Sequence, residues 1–357
     1  MLLFTPGPVA VSREVAEAQT KEMITHRGKE FQELYKNLVE KIKKMVDAYQ
    51  VHIITGSGTA AIEANVQNAL EKDGVALVLS NGAFGDKLAS HCRLYYKTIF
   101  YRFNNAQGID LNIAKPYIEQ GVKEGAKLLC LTHHETSPGI LNKISEVCRY
   151  AKEKGMLTLV DGTSAFPAYM FSHEKDSVDF YSWASQKAAG CPPGIAVISL
   201  SFEAIKAIEK SPVRSNYLNL KEYIKKQNEN FETPTTPAIS LFWALEKSIE
   251  IIEKEGLEKF ASKQKTYADY VKKRLVQMGF RLVVDEKFSS NTVVAFFTQK
   301  NKELNLLLQK KYGVKLGGGH ADWKDNSLRF CVMGNVDMEK IKIGLDALEE
   351  AKKELNI

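Results

Sequence analysis

Cysteine is scarce and scattered in this chain: Cys92, Cys130, Cys148, Cys191 and Cys331 are its five, and no CxxC pair occurs. That spacing excludes a zinc ribbon and a disulfide framework, and it fits a reducing compartment, so a cytoplasmic location is expected. No apolar run reaches the roughly 18 residues that a spanning helix needs. The opening MLLFTPGPVAV is short, broken by Pro and Gly, and has no basic flank. Neither a membrane anchor nor a signal peptide is expected. Charge of one sign is not concentrated: 49 Lys+Arg stand against 43 Asp+Glu, and the longest basic block is residues 272–274. Nucleic acid is therefore not an expected partner. Internal repeats and low-complexity tracts are also absent. What remains, at 357 residues and 44% hydrophobic, is a globular chain long enough to bury a closed site.

The residues present suggest how that site is framed. Phe31, Leu34, Leu38, Ile42 and Met45 fall on one face of a helix expected over residues 29–49. Short apolar runs follow at 51–54, 75–79, 98–103, 127–131, 157–160, 180–183 and 195–200, several separated by helical stretches at 60–70, 111–123 and 144–154. Runs of this length without alternation read as strands buried on both faces. The expected fold is therefore α/β, a mainly parallel, doubly wound sheet. The last third differs, with helices at 241–252 and 257–275, strands at 280–284, 292–297 and 328–332, and a helix at 338–355. Residues 1–252 are expected to form an N-terminal arm and large domain, and 253–357 a smaller α+β domain. The turn NNAQG at 104–108 and the glycines 317–319 read as breaks, and 327–332 as a half-exposed antiparallel strand.

Three motifs could carry chemistry. T-G-S-G-T-A-A at 55–61 follows a strand and opens a helix, where glycines let backbone N–H groups converge on an anion. It lacks the lysine of a P-loop. Gly56, Gly58 and Ala61 match a dinucleotide fingerprint, but Ser80 and Asn81 stand where the next strand should end in an acid. An oxidoreductase using NAD(P) and a turn without ligand both stay open on this motif alone. Asp161 ends a buried strand, facing the crevice where open α/β sheets bind ligands. Lys187 follows another strand among small residues and prolines, a setting that would desolvate its amine and lower its pKa. His133 and His134 have no third ligand at useful spacing, so no metal is expected.

A phosphate cradle, a strand-end Asp and a strand-end Lys occur here in the order used by pyridoxal phosphate enzymes. From T-P-G-P at 5–8 to L-R-F-C-V-M-G at 328–334, the chain resembles the class V aminotransferases of fold type I, close to the serine–pyruvate and alanine–glyoxylate enzymes. The resemblance implies pyridoxal 5'-phosphate as cofactor. Ser57, Gly58, Thr59 and Gln186 would bind its phosphate, and Phe84 would stack on its ring. Thr136 would meet the ring hydroxyl, Asp161 the ring nitrogen with support from Thr163, and Lys187 would form the Schiff base. Thr235 and Thr236 resemble a segment that reaches a second subunit's phosphate, which implies a homodimer with shared active sites. Arg329 would clamp the substrate carboxylate, and Arg27, in T-H-R-G-K-E-F, would be a further substrate contact. The implied reaction moves an amino group from alanine or serine to glyoxylate or pyruvate by a ping-pong mechanism. Phosphoserine or 2-aminoethylphosphonate transamination is the alternative within the family. A cysteine desulfurase would carry histidine at Phe84.

Overall fold

The structure, a computed structural model, describes every residue except Asn105, so part of the expected NNAQG turn lies outside the described residues. Seven strands form the main sheet: β2 (Gln50–Thr55), β3 (Val75–Ser80), β4 (Lys97–Arg102), β5 (Leu128–Thr132), β8 (Leu157–Asp161), β9 (Phe180–Ala184) and β10 (Ile195–Leu200), in the order β2-β10-β9-β8-β5-β3-β4. These are the seven runs read from the sequence. Between β5 and β8 a hairpin of β6 (His134–Glu135) and β7 (Ile140–Leu141) leaves the sheet.

Both faces of the main sheet are covered, which is why its strands lack alternation. Ile53, Leu77, Leu129, Val160 and Trp183 pack on one side with Phe31, Leu38 and Ile42 of the long helix Lys29–Val46. Ile54, Val78, Cys130, Leu159 and Phe180 pack on the other with the helices Gly58–Ala69 and Ala83–Tyr95. Strand β10 runs antiparallel to both of its neighbours. The other six run parallel, so their carboxyl ends reach one edge, where such sheets form their ligand crevice.

The second sheet has the order β1-β12-β13-β11, from β1 (Leu2–Phe4), β11 (Val293–Phe297), β12 (Val314–Gly318) and β13 (Ser327–Cys331). The chain's first strand thus joins a sheet otherwise built from its last third, through Leu2–Val314 and Phe4–Leu316 pairing. Three expectations need correction here. Strand β13 is antiparallel but buried along its whole length, because Leu328 and Phe330 meet a core that includes Phe4 and Leu345. Gly317 and Gly318 extend β12 instead of breaking it, and Gly317 admits Pro6 against the strand. Residues 280–284 form no strand; they lie beside the edge strand β11 and touch it through one bridge, Leu282 to Phe296. The helices Phe202–Lys210, Leu220–Asn230 and Asn301–Lys311 and strand β12 were not anticipated.

Candidate active site

At the crevice edge, β2 ends and the helix Gly58–Ala69, here α1, begins after an extended Ser57 whose side chain makes no capping bond. The first N–H groups of a helix have no intrahelical partner and carry its positive end, so this turn is ready for an anion. Gly58 is there for closeness: a Cβ would lie 2.9 Å from Thr163 Cγ2 and 3.2 Å from Ala184 Cβ. The cradle is therefore packed directly against the ends of β8 and β9.

Asp161 closes β8 and is buried. Its Oδ1 accepts the Thr163 backbone N–H at 2.9 Å, and it takes no other side-chain hydrogen bond among the described residues. Burial pushes its pKa above the ordinary value; hydrogen bonding from Thr163 and the charge of Lys187 oppose that. An acid held this way favours a cationic partner.

Lys187 lies just past the end of β9, and its Nζ donates to the Pro6 carbonyl at 2.7 Å. Gly7 makes that possible. Its φ of +149° suits glycine, and a Cβ would sit 2.5 Å from the Lys187 Nζ. The amine forms no ion pair among the described residues. Its pKa falls from 10.5 to about 8, chiefly through burial; Cys331 and Asp161 oppose the fall and Arg329 adds to it.

Arg329, on β13, donates from Nε to the Gly318 carbonyl (2.8 Å) and from Nη1 to the Thr136 carbonyl (3.1 Å). Its Nη2 has no hydrogen bond among the described residues, and burial lowers the guanidinium pKa to about 10. Thr136 Oγ1 meets His134 Nδ1 at 3.3 Å, and His134 Nε2 meets Ser290 Oγ at 2.7 Å. Phe84 is the second residue of the helix Ala83–Tyr95, here α2, whose first turn is capped by the buried Glu135: Phe84 and Gly85 donate to Oε2 at 3.1 and 2.9 Å. The Phe84 ring stacks on His320 at 5.6 Å and 14°. Gln186 accepts the Val9 N–H on its backbone carbonyl, and its buried Oε1 has no partner.

The structure thus brings Ser57, Gly58, Thr59, Asp161, Thr163, Gln186 and Lys187 to one edge, with Arg329, Thr136 and Phe84 linked to it through β13, the hairpin and α2. Arg27 is placed differently from a free substrate contact. Its Nη1 pairs with Glu232 (2.6 Å) and the Thr233 carbonyl (2.8 Å), because the segment after Phe231 folds back onto the start of the long helix. Thr235 and Thr236 follow on that segment, with Thr236 exposed and 3.5 Å from His26 Nε2. Glu135, His320, Lys87 and the Pro6 carbonyl were not singled out in the sequence. Glu135 was hidden as a polar residue in the loop T-H-H-E-T, although a buried acid three residues past a strand end is a capping signal.

Known proteins decide what this constellation is. The family model for class-V aminotransferases matches residues 11–332. The chain belongs to the class V aminotransferases. An uncharacterized aminotransferase of Methanocaldococcus jannaschii is 30% identical, covering 99% of this chain and 93% of its own. A 2-aminoethylphosphonate–pyruvate transaminase of Bacillus cereus is 26% identical over 97% of this chain and 96% of its own. The solved alanine–glyoxylate aminotransferase of Nostoc sp. shares the fold, with a TM-score of 0.92, 24% identity and coverage of 98% and 94%.

As a class V aminotransferase of fold type I, the protein depends on pyridoxal phosphate. This sets aside the dinucleotide reading of the glycine turn. The residues present fit the group: a helix start open to a phosphate, a buried acid for a ring cation and, among the described residues, an amine in no ion pair for an aldehyde. Only an unprotonated amine attacks an aldehyde. Cofactor-free protein will therefore capture pyridoxal phosphate at a rate that rises with pH around a midpoint near about 8, the value to which burial brings Lys187. Stopped-flow absorbance across a pH series reads this directly. A midpoint near the ordinary 10.5 would show a solvated amine.

Proposed function

We propose that the protein is a homodimeric aminotransferase that moves the amino group of alanine or serine to glyoxylate or pyruvate, one site serving both halves of a ping-pong cycle. The observation that carries the substrate choice is Arg329. It is buried beside Lys187 with Nη2 still free, while Arg102 is committed to Asp86 and Asp322 and Arg27 to Glu232. One free guanidinium edge suits one carboxylate.

The bound cofactor supplies an electron sink for the charge that develops when the substrate Cα loses its proton. Ser57, Gly58, Thr59 and Gln186 hold its phosphate end, and Phe84, oriented by Glu135, presents an aromatic face. The Asp161 carboxylate would hold a proton on the ring nitrogen. Lys187 Nζ would hold the cofactor's aldehyde end and move the Cα proton, and its pKa, lowered to about 8, would let it act as a base near neutral pH. Arg329 fixes the substrate carboxylate and so the direction in which the Cα–H bond points. Support for shared sites in a dimer is the segment of half-buried Thr235 and exposed Thr236, which Arg27 braces through Glu232. The five free cysteines support a cytoplasmic setting.

Two experiments test the substrate choice. Single amino acids mixed with the holoenzyme will bleach the cofactor's visible band when they are donors; alanine or serine should do so. Bleaching by phosphoserine or 2-aminoethylphosphonate, with none by alanine or serine, would replace this reading with transamination of a phosphorylated or phosphonate donor. Arg329→Lys keeps the charge and loses the fork. It will lower kcat/KM by roughly 10²-fold, mainly through KM, or about 2.7 kcal/mol, from loss of the two-toothed contact.

A further inference from the structure

Lys87 lies one helical turn beyond Phe84 on α2, and its Nζ donates to Thr59 Oγ1, in the first turn of α1, at 2.8 Å. It enters no ion pair among the described residues, and the adjacent acid, Asp86, is taken by Arg102 at 2.9 Å. An ammonium at the positive end of a helix, beside N–H groups without intrahelical partners, is repelled unless an anion sits between them. The neighbouring cations do not relieve this. Lys187 is on the same edge, and the charge of Lys87 is felt at Asp161 alongside that of Lys187. A phosphate monoester at Ser57–Thr59 would satisfy both the amides and the amine, with Thr59 Oγ1 between them.

We propose that Lys87 is a ligand of the cofactor phosphate, delivered from α2 across the mouth of α1. The ammonium supplies a point charge to the dianion, while the Thr59 hydroxyl fixes where it stands. The proposal rests on the phosphate lying in the Ser57–Thr59 cradle and is independent of which amino acid is the donor. It also gives α2 two tasks on one face: Phe84 toward the ring and Lys87 toward the phosphate.

The test compares pyridoxal phosphate with pyridoxal, which lacks the phosphate, binding to the cofactor-free protein by fluorescence titration. Lys87 is exposed, so Lys87→Met leaves the fold intact. Lys87→Met should weaken pyridoxal phosphate about tenfold or more, as the loss of a charged hydrogen bond does, and leave pyridoxal unchanged. Lys87→Arg should restore most of the preference. Equal weakening of both ligands, or of neither, would reduce Lys87 to a tether between two helices and overturn the proposal. A wild-type protein that does not prefer pyridoxal phosphate to pyridoxal would instead overturn the cradle assignment, and Lys87 with it.

Discussion

Lys187→Ala will abolish transamination, lowering kcat by about 10⁴-fold, the upper range for loss of a positioned base. The reason is geometric before it is chemical. Among the described residues, one amine is held against Pro6 and Gly7, in the field of both Asp161 and Arg329. The protein will nevertheless fold. Below about 8 Lys187 is protonated in both the folded and unfolded states, and burial penalises that charge in the fold. Between about 8 and 10.5 the folded chain binds fewer protons, so stability gains as pH rises through this window. Alanine removes the penalty and gives up one hydrogen bond to Pro6, worth only about 1 kcal/mol, so Tm at neutral pH should not fall. A small primary amine in solution should restore part of the rate, because the missing group is a base and not a brace. Undiminished turnover in Lys187→Ala would refute the assignment.

What the sequence made legible, and what it hid, follows from the range of the contacts involved. The seven main-sheet strands were readable because burial on both faces leaves unbroken apolar runs, as in Leu128–Thr132. The strand-end positions of Asp161 and Lys187 were readable because a charged residue there stands out against such runs. Pairing across long separations leaves no local trace. Nothing near Leu2 points to Val314, and nothing near Arg27 points to Glu232. Gly317 was misread because a glycine that admits a neighbouring proline looks, in sequence, the same as one that turns the chain, and Gly318 simply continues β12. Lys87 was invisible for a similar reason: its meaning depends on Thr59, on another helix.

Asp161→Asn will separate catalysis from stability. Asn keeps the shape and can accept the Thr163 N–H, but it cannot hold a proton on the ring nitrogen by charge. Loss of one preorganised electrostatic partner should lower kcat by about 10²–10³-fold. Stability should go the other way in the cofactor-free protein. Burial raises the Asp161 pKa above its ordinary 3.8, so its protonated form is the one the fold prefers. The stability this group contributes is present in full below 3.8 and is lost as pH rises through the folded pKa. At neutral pH, above the acid's ordinary 3.8, its burial is therefore a burden that Asn removes, and cofactor-free Asp161→Asn should melt at or above the wild type. The burden has a use only when a cation faces it. A variant that keeps its rate while its cofactor-free Tm falls would mark Asp161 as a structural acid bound to Thr163, and the crevice would then lack the charge that makes its lysine useful.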